Sequence, residues 1–409
     1  MVYAHACRMI ELDRGRRLET ERSGAWDREE TLPTAVLPPL GAPEEEPPVA
    51  VVLAAGMGSR LGVGTKALAE VAGATLLERA VASLHAAGIE DVVVVVGYEK
   101  ERVAELVRRR RLPVRLVEND DFLLGNGSSA LVGARAAGRR FLLVMVDHLF
   151  EPECARRVLQ SAAPFALAVD SRPGLCDLEE ATKVLVEGSR VVAVDRRLEH
   201  WNAVDAGLAL CSAEVAEVAA RALQSGGQTW NAVKRRWLEE GGEIEAVDLA
   251  GLFWTDVDTP VDRRRAERGL VARAATKAGD GPVARYLNRR LSQPISLLLL
   301  RAGATPWVGT ALAFVFGLAA AILVGLGSLW TGALIAGGLL VQVASVVDGV
   351  DGEMARASLR RSQTGAFIDS LLDRAVDAAV VAALAVAAGL DQATWALMAA
   401  ALFGSLMTP

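Results

Sequence analysis

The last third of the chain is too apolar for an ordinary soluble domain. Residues 292–409 consist of long runs of Ala, Leu, Val and Gly with little charge outside one island, and 52% of the whole chain is hydrophobic. A helix crosses a bilayer with about 20 apolar residues, and this region has room for about four such helices. Their expected ranges are 306–328, 329–355, 364–390 and 393–409. The sequence therefore predicts an all-α transmembrane helix bundle over residues 305–409.

Four aspartates lie within this apolar region. Asp348 and Asp351 are three residues apart, and Asp369 and Asp373 are four apart, so each pair projects from one face of its helix. An isolated carboxylate in a bilayer is costly, so these side chains need partners or a function. Divalent cations are the natural compensation, and two of them can clamp a diphosphate for in-line attack. The alternative is an extramembrane loop whose aspartates are solvated.

The spacing around these aspartates resembles the signature of the CDP-alcohol phosphotransferases, D-x-x-D-G-x-x-A-R-x8-G-x3-D-x3-D. The matching positions are Asp348, Asp351, Gly352, Ala355, Arg356, Gly365, Asp369 and Asp373. The resemblance implies that all four aspartates belong to a site for two metal ions and that Asp373 also removes the proton from the attacking hydroxyl. It implies further that Gly352 and Gly365 leave room for the nucleotide and that Arg356 steadies the diphosphate.

Residues 48–265 alternate apolar strands with helical segments. PVAVVLAAG runs from a strand into glycines, TLLERAVASLHAAG reads as a helix ended by Gly, and FLLVMVD reads as a strand that ends in Asp147. This alternation predicts an α/β domain with a Rossmann-like mixed sheet, largely parallel and covered by helices. Ligands of such sheets bind beyond the carboxyl ends of the strands. The net charge of −6 argues against nucleic acid as a partner, because that partner needs a concentrated basic face.

A glycine-rich turn follows the first strand of this domain. In LAAGMGSRLGVGTKAL, residues 53–68, Gly56 and Gly58 come directly after the strand, and Arg60 and Lys66 follow. Glycines let backbone N–H groups approach a polyphosphate, and the two cations add charge without blocking the turn. The spacing is neither that of the P-loop nor that of the dinucleotide-binding turn. A purely structural loop is the alternative reading.

The turn resembles the signature L-x-A-G-x-G-x-R-L, followed by P-K, of the nucleotidyltransferases that join a nucleoside triphosphate to a sugar or polyol phosphate. Thr65 stands where that family usually has Pro. GNGSSA at 125–130 is similar to the family's base-reading turn, and Asp147 and Asp258 match its two metal ligands. The two carboxylates would share one Mg²⁺ or Mn²⁺. The resemblance implies Lys66 and Arg60 as catalytic cations. The implied nucleotide-binding residues are Leu53, Ala54, Ala55, Gly56, Gly58, Lys66, Asn126, Gly127 and Ser128.

Two further segments concern the substrate that accepts the nucleotide. DLEEATKVLVEG and WNAVDAGLAL resemble the acceptor side of cytidylyltransferases that use inositol phosphate. In that resemblance Lys183 binds a phosphate and Asp205 accepts a hydroxyl. Equally, Lys183 would be a solvated strand residue and Asp205 a turn residue.

The connection between the two parts is charged and amphipathic. Residues 266–283 are expected to form a linker, and 284–304 an amphipathic helix at the membrane surface. Through its resemblance to the phosphotransferase family, this helix would bind an acceptor phosphate with Arg289 or Arg290, although anchoring to lipid headgroups explains these residues as well. The positions of the arginines around the spans place the front domain in the cytoplasm. Residues 1–47, charged and then rich in Pro and Glu, are expected to form a disordered tail.

The two signatures in one chain resemble the bifunctional family that couples inositol-1-phosphate cytidylyltransferase to CDP-inositol:inositol-1-phosphate phosphotransferase. The implied substrates are CTP and inositol 1-phosphate, then CDP-inositol and a second inositol 1-phosphate. Two alternatives keep this chemistry with another polyol phosphate or a lipid acceptor; a third, of a different class, is a membrane-anchored nucleotide-binding protein without turnover. The resemblance also implies a multi-pass homodimer in contact with membrane lipids. Because six spanning helices are usual in that membrane family, the four predicted here imply either that the chain is truncated at the C-terminus or that the remaining helices come from elsewhere.

Overall fold

The computed structural model describes residues 47–407 except 59, 63, 175, 277–280, 282–283 and 390, with the backbone alone for 284, 285 and 405–407. The tail predicted over residues 1–47 lies outside the described residues apart from Pro47. The segment predicted as a linker, 266–283, begins inside a helix that runs Pro260–Ala275.

Thirteen strands are described in the front domain. They are β1 Val49–Leu53, β2 Glu70–Val71, β3 Ala74–Thr75, β4 Val92–Val96, β5 Arg115–Glu118, β6 Phe141–Met145, β7 His148–Phe150, β8 Phe165–Asp170, β9 Lys183–Glu187, β10 Arg190–Asp195, β11 Ala203–Cys211, β12 Glu245–Asp248 and β13 Trp254–Asp256. Nine of them form one sheet in the order β5-β4-β1-β6-β11-β8-β12-β10-β9. Two small sheets, β2 with β3 and β7 with β13, lie outside it.

This sheet is parallel in one half and mixed in the other. Strands β5, β4, β1 and β6 run parallel, so that Leu53 pairs with Val95 and with Met145. Strand β11 is antiparallel to β6 and β8, and β9 with β10 forms an antiparallel hairpin. The predicted mixed α/β fold is confirmed. The expectation of a largely parallel sheet is wrong beyond β6, where every pairing except that of β8 with β12 is antiparallel. Between β9 and β10 the two-residue connection permits only an antiparallel pair, because parallel strands need long crossovers.

Helices cover both faces of this sheet. They are α1 Leu76–Ala86, α2 Lys100–Arg110, α3 Asn126–Ala137, α4 Pro152–Leu159, α5 Val215–Gln224, α6 Trp230–Glu239 and α7 Pro260–Ala275. Val52 and Val94 belong to the core that contains α1, whereas Val51 and Val93 belong to the core that contains α5 and α6. Both faces of β1 and β4 are therefore buried, which explains their unbroken runs of apolar residues. The carboxyl ends of β1, β4 and β6 remain open at one edge.

Five further helices follow the front domain, the last four of them close to the positions predicted for the spanning segments. The helices are α8 Arg289–Arg301, α9 Pro306–Gly325, α10 Thr331–Ala357, α11 Gln363–Ala388 and α12 Gln392–Met407. Among the described residues, Pro306–Ser328 and Thr331–Ala357 are long and apolar enough to cross a membrane. Helix α12 is apolar but shorter, and the first 15 residues of α11 carry four charged side chains. The two long apolar helices associate this region with a membrane.

Glycines bring these helices into close contact. A Cβ atom at Gly309 of α9 would lie 2.8 Å from the backbone nitrogen of Asp351 in α10. One at Gly337 of α10 would lie 2.8 Å from the backbone nitrogen of Val324 in α9. Small residues of this kind let helix backbones approach in a bilayer, where lipid offers as much apolar contact as a neighbouring helix. The glycines thus set the distance between α9 and α10.

The front domain packs against the end of α10. Ala72 and Val271 of the front domain share an apolar cluster with Leu300 of α8 and with Val350 and Met354 of α10. Three polar contacts surround this cluster. They are Arg79 Nη2 to Ala357 O at 2.6 Å, Arg356 Nε to Ala274 O at 2.6 Å, and Arg301 Nε to Glu267 Oε2 at 2.8 Å. We refer to this contact region as the domain junction.

Candidate active sites

A cavity of about 570 Å³ opens at the carboxyl ends of the parallel strands. Of the residues predicted for the first site, those that line it are Leu53, Ala55, Gly56, Arg60, Lys66, Asn126, Asp147, Asp205 and Asp258. The sequence therefore identified residues from five separate segments that the fold brings into one cavity.

The glycine-rich turn forms one wall of this cavity. A Cβ atom at Gly58 would lie 2.7 Å from Gly64 O and 3.2 Å from the Lys66 nitrogen, so the turn closes on itself only with glycine there. A Cβ atom at Gly56 would meet nothing within 4 Å, so the backbone there is open to an approaching ligand. Ala54 is buried beneath the turn, where its N–H donates to Val95 O at 2.9 Å. The turn can therefore present backbone groups to a polyphosphate.

Lys66 joins the two predicted metal ligands. Its ammonium group donates to Asp147 Oδ2 at 2.6 Å and also contacts Asp258 Oδ1. Burial alone lowers the pKa of Lys66, but the two carboxylates outweigh it and raise the pKa above its usual value. Burial likewise raises the pKa of Asp147, but Lys66 and His148 outweigh it and hold the pKa well below its usual range. Lys66 and Asp147 are therefore both charged near neutral pH.

The position of each carboxylate follows from local sequence. Asp147 comes two residues after β6, and Asp258 directly precedes Thr259, the N-cap of α7. Thr259 and Asp262 form a capping box, which fixes the start of that helix. Arg60 lies at the rim, where it contacts Glu180 and is 3.2 Å from Asp258 Oδ2. Two nearly buried carboxylates that already share one cation are a donor set that suits Mg²⁺ or Mn²⁺.

The predicted base-reading turn forms the opposite wall. Gly125 has φ +99°, and a Cβ there would lie 2.4 Å from Gln228 O. Asn126 Oδ1 accepts a hydrogen bond from the Trp230 nitrogen at 2.8 Å. Gly127 and Ser128 support the turn from behind, because Gly127 N donates to Gln228 O at 3.0 Å and Ser128 Oγ donates to Gly125 O at 2.8 Å. Asn126 faces the cavity, whereas Gly127 and Ser128 do not line it.

The third wall holds a buried ion pair that the sequence reading missed. Asp205 accepts a hydrogen bond from the Gly207 nitrogen at 2.8 Å and contacts the ammonium group of Lys234, whose side chain is 0% exposed. Lys183 instead donates to Arg196 O at 2.9 Å and does not line the cavity. The one feature of the sequence that could have indicated Lys234 is the scarcity of lysine, since Lys234 is one of five lysines in an arginine-rich chain.

Replacing Lys234 by methionine is expected to lower the free energy of unfolding by about 3–5 kcal/mol, because it leaves Asp205 buried without its cation. Thermal unfolding of the purified protein measures this loss. The double variant Lys234→Met with Asp205→Leu is the control, since it removes both charges and is expected to recover much of the stability. An unchanged stability in the single variant would contradict the pairing.

A second group of carboxylates lies between α10 and α11. One oxygen from each of Asp348, Asp369 and Asp373 lies within 4.8 Å of the others. Asp351 is within hydrogen-bonding distance of Asp369, and Asp351 Oδ2 also accepts from Thr310 Oγ1 at 2.7 Å. The four predicted aspartates therefore converge. Oxygen donors at this density, within apolar helices, suit divalent cations.

The remaining residues of the predicted second site surround these aspartates. A Cβ at Gly365 would meet its first neighbour only at 3.6 Å, so space is open there, whereas a Cβ at Gly352 would lie 2.9 Å from Arg356 Nη1, so the Arg356 guanidinium occupies the space over Gly352. Arg356 Nη2 is buried and has no hydrogen-bond partner among the described residues. Arg289 Nη1 is 3.3 Å from the buried carboxylate of Glu353, whereas Arg290 is exposed. The structure thus brings Arg289 to α10 and leaves Arg290 at the surface.

Glu353 explains how α8 is held against α10. Its two carboxylate oxygens accept from Ser292 Oγ at 2.5 Å and from Ser296 Oγ at 2.6 Å, both on α8. Its side chain is 0% exposed, so these hydrogen bonds and the Arg289 ion pair replace its contacts with water. Glu353 lies within the aspartate signature, yet the sequence reading gave it no role.

Comparison with known proteins gives the class and then the family. A MobA-like NTP transferase domain profile matches residues 50–244, and a CDP-alcohol phosphatidyltransferase profile matches residues 305–408. The fold and the two sites define a nucleotidyltransferase joined to a CDP-alcohol phosphotransferase, and the chain has both activities. It is 48% identical over 83% of its length to "Bifunctional IPC transferase and DIPP synthase" of Rubrobacter xylanophilus, 77% of which is covered. The chain belongs to that family.

Two further similarities were found. The protein of the same description from Thermococcus kodakarensis is 35% identical over 88% of this chain and 81% of its own. Among solved structures, the inositol-1-phosphate CTP transferase from T. maritima has 26% identity and a TM-score of 0.49, covering 53% of this chain and 94% of its own.

Proposed function

We propose that the chain makes the precursor of di-myo-inositol phosphate in two reactions. In the first, a phosphate oxygen of inositol 1-phosphate attacks the α-phosphorus of CTP, which gives CDP-inositol and releases diphosphate. In the second, a hydroxyl of another inositol 1-phosphate attacks the inositol-bearing phosphorus of CDP-inositol and releases CMP. The product is a phosphodiester that keeps one terminal phosphate. The observation that carries the proposal is the presence in one chain of two separate carboxylate sites, each suited to a nucleotide phosphate.

In the first site the cations and the turn would hold CTP. Lys66 and Arg60 supply positive charge where the leaving diphosphate develops negative charge, and the backbone at Gly56 is open for the phosphates. Asn126 offers amide groups to the base. Asp147 and Asp258 would hold Mg²⁺ or Mn²⁺, which supplies charge neutralisation at the α-phosphate when bound.

The acceptor would lie against the wall formed by Asp205 and Lys234. Asp205 contacts the ammonium group of Lys234, and its carboxylate can accept a hydrogen bond from an inositol hydroxyl. Lys183, predicted as a phosphate ligand, would have to leave Arg196 O to reach the cavity. Asp205 is therefore the acceptor residue that the geometry favours.

In the second site Asp348, Asp351 and Asp369 would hold the divalent cations that neutralise the diphosphate of CDP-inositol. Asp373 would share in binding them and take the proton from the attacking hydroxyl. Space beside Gly365 would admit the nucleotide, and Gly352 would leave room for the Arg356 guanidinium. Arg356 Nη2, buried and without a partner among the described residues, would donate to a phosphate oxygen. Arg289 would reach the acceptor phosphate, and the exposed Arg290 would contact lipid headgroups.

We also propose a membrane topology and an oligomeric state for the protein. Helices α9 to α12 would each cross the membrane, with the front domain and the aspartate ends of α10 and α11 in the cytoplasm. The arginines of α8 and of the loop after α10 support this orientation. A homodimer is proposed on the resemblance to the phosphotransferase family alone.

The test is a phosphorus NMR spectrum of the detergent-solubilised protein with CTP, inositol 1-phosphate and Mg²⁺. We expect CDP-inositol signals that give way to a phosphodiester resonance and CMP. When EDTA is present from the start, we expect the CTP signals to stay unchanged. Unconsumed CTP would reject inositol 1-phosphate and require trials with other polyol phosphates. CDP-inositol that accumulates until a lipid acceptor is added would favour a lipid product. Binding of CTP without turnover for any acceptor would reject an enzyme.

Replacing Gly309 by valine is expected to lower the rate of the second reaction by about tenfold or more, because the new side chain pushes α9 away from Asp351. The first reaction, measured with CTP, should stay unchanged. Gly338 of α10 is the matched control, since a Cβ there would meet nothing within 4 Å. Equal rates for Gly309→Val and Gly338→Val would contradict this role for the contact.

A further inference from the structure

A second cavity, of about 310 Å³, lies at the domain junction. Four arginines from separate segments line it, namely Arg79 of α1, Arg273 of α7, Arg356 of α10 and Arg361 of the loop before α11. Glu151 is the one carboxylate among the described residues that line it. The cavity therefore carries a net positive charge, and of its four arginines only Arg356 has a role in the two reactions proposed above.

The four arginines differ in exposure and in the contacts that their guanidinium groups already make within the protein. Arg79 is buried, and its guanidinium donates to the carbonyl oxygens of Val71, Ala72 and Ala357, so its role is structural. Arg273 contacts Glu151 and lies 5.1 Å from the centre of the Phe253 ring, but 49% of its side chain is exposed. Arg361 is exposed, and Arg356 Nη2 is buried without a partner among the described residues. Three guanidinium groups therefore remain able to bind an anion.

The position of this cavity links the two active sites. His148, adjacent to Asp147 of the first site, lines both cavities, so a single residue separates them there. At the other end, Arg356 Nη1 lies over Gly352 of the second site. Only His148 would separate an anion held here from the first site, and the anion would lie beside the second site.

We propose that this junction cavity binds the phosphate group of a soluble substrate or product through Arg273 and Arg361, beside Arg356 of the second site. Guanidinium groups from separate elements match the several oxygens of a phosphate. A phosphate on a lipid headgroup has the same chemistry. A soluble phosphate is favoured because the cavity meets the first site at His148. The proposal rests on the proposed function only in naming inositol 1-phosphate as the probe.

The experiment measures protection of individual arginines from phenylglyoxal in the full chain, held in phosphatidylcholine nanodiscs, with peptide mass spectrometry as the readout. Inositol 1-phosphate at saturation is expected to slow modification of Arg361 and Arg273 by about fivefold or more. Arg109, exposed on α2 and lining neither cavity, is the internal control and should react at an unchanged rate. Unchanged rates at Arg361 and Arg273 would overturn the proposal.

Two further arms separate the possible sources of the phosphate. Inorganic phosphate alone should protect the same arginines more weakly. Protection that appears only when phosphatidylglycerol is added, without soluble phosphate, would assign the cavity to a lipid headgroup and overturn the soluble ligand. Because protection needs no turnover, its failure is distinct from a failure of the proposed function, which phosphorus NMR of the same sample reports. If the second reaction runs, Arg361→Gln should raise its KM for the phosphate substrate about fivefold at an unchanged kcat.

Discussion

Replacing Asp373 by asparagine is expected to slow phosphotransfer from CDP-inositol by about a thousandfold and to leave CDP-inositol formation unchanged. Asparagine has nearly the same shape but cannot accept a proton, and a positioned general base contributes about 10²–10⁴ in rate. It also removes one negative charge from a cluster in which Asp348, Asp369 and Asp373 lie within 4.8 Å of one another. Separate assays, one with CTP and inositol 1-phosphate and one with supplied CDP-inositol, measure the two rates.

The matched control is Asp377, one turn further along α11. It is exposed and lies outside the converging aspartates, so Asp377→Asn is expected to leave both rates within about twofold, in the range of ordinary surface substitutions. Loss of both reactions in Asp373→Asn would show that the two sites are not independent. Full phosphotransfer in that variant would exclude Asp373 as the base.

The second large effect is expected at Lys66. Methionine at this position removes the cation that Asp147 and Asp258 share, and it removes a charge-assisted donor from the phosphate site. The loss of one such preorganised donor typically lowers kcat by about 10²–10³. We therefore expect CDP-inositol formation to fall by that factor, while phosphotransfer from supplied CDP-inositol continues at the original rate.

Lys100 provides the comparison for this variant. It also carries a salt bridge, with Glu118 at 2.6 Å, but on the surface, where such pairs contribute little. Lys100→Met is expected to change neither rate. If Lys66→Met kept its full rate of CDP-inositol formation, the glycine-rich turn would be a structural loop, which was the alternative left open by its sequence.

The predicted site residues that the fold brings together are those whose placement depends on short segments of sequence. Asp147 comes two residues after a buried strand, and Asp258 precedes a Thr-Pro helix start, so their positions at one sheet edge follow from the α/β pattern. Asp369 and Asp373 share a helix face because they are four residues apart. In these cases local spacing determines where the side chain points.

The acceptor wall could not be predicted in this way. Lys183 and Lys234 are both lone lysines near apolar residues, and only the packing of α6 decides that Lys234 contacts Asp205. The same holds at the domain junction, where the Arg356 side chain reaches Ala274 O, 82 residues away in sequence. Contacts of this kind depend on how whole elements pack, and no short segment encodes that.

The apolar cluster at the domain junction couples the stability of the front domain to that of the helical region. Ala72 and Val271 come from one part, and Val350 and Met354 from the other, and none of them is more than 5% exposed. Separating the parts would put all of these side chains in water, at a cost that grows with the apolar area exposed. Melting is therefore expected to be a shared, cooperative event. On heating, the enzyme would lose the first and the second reaction over the same narrow temperature range.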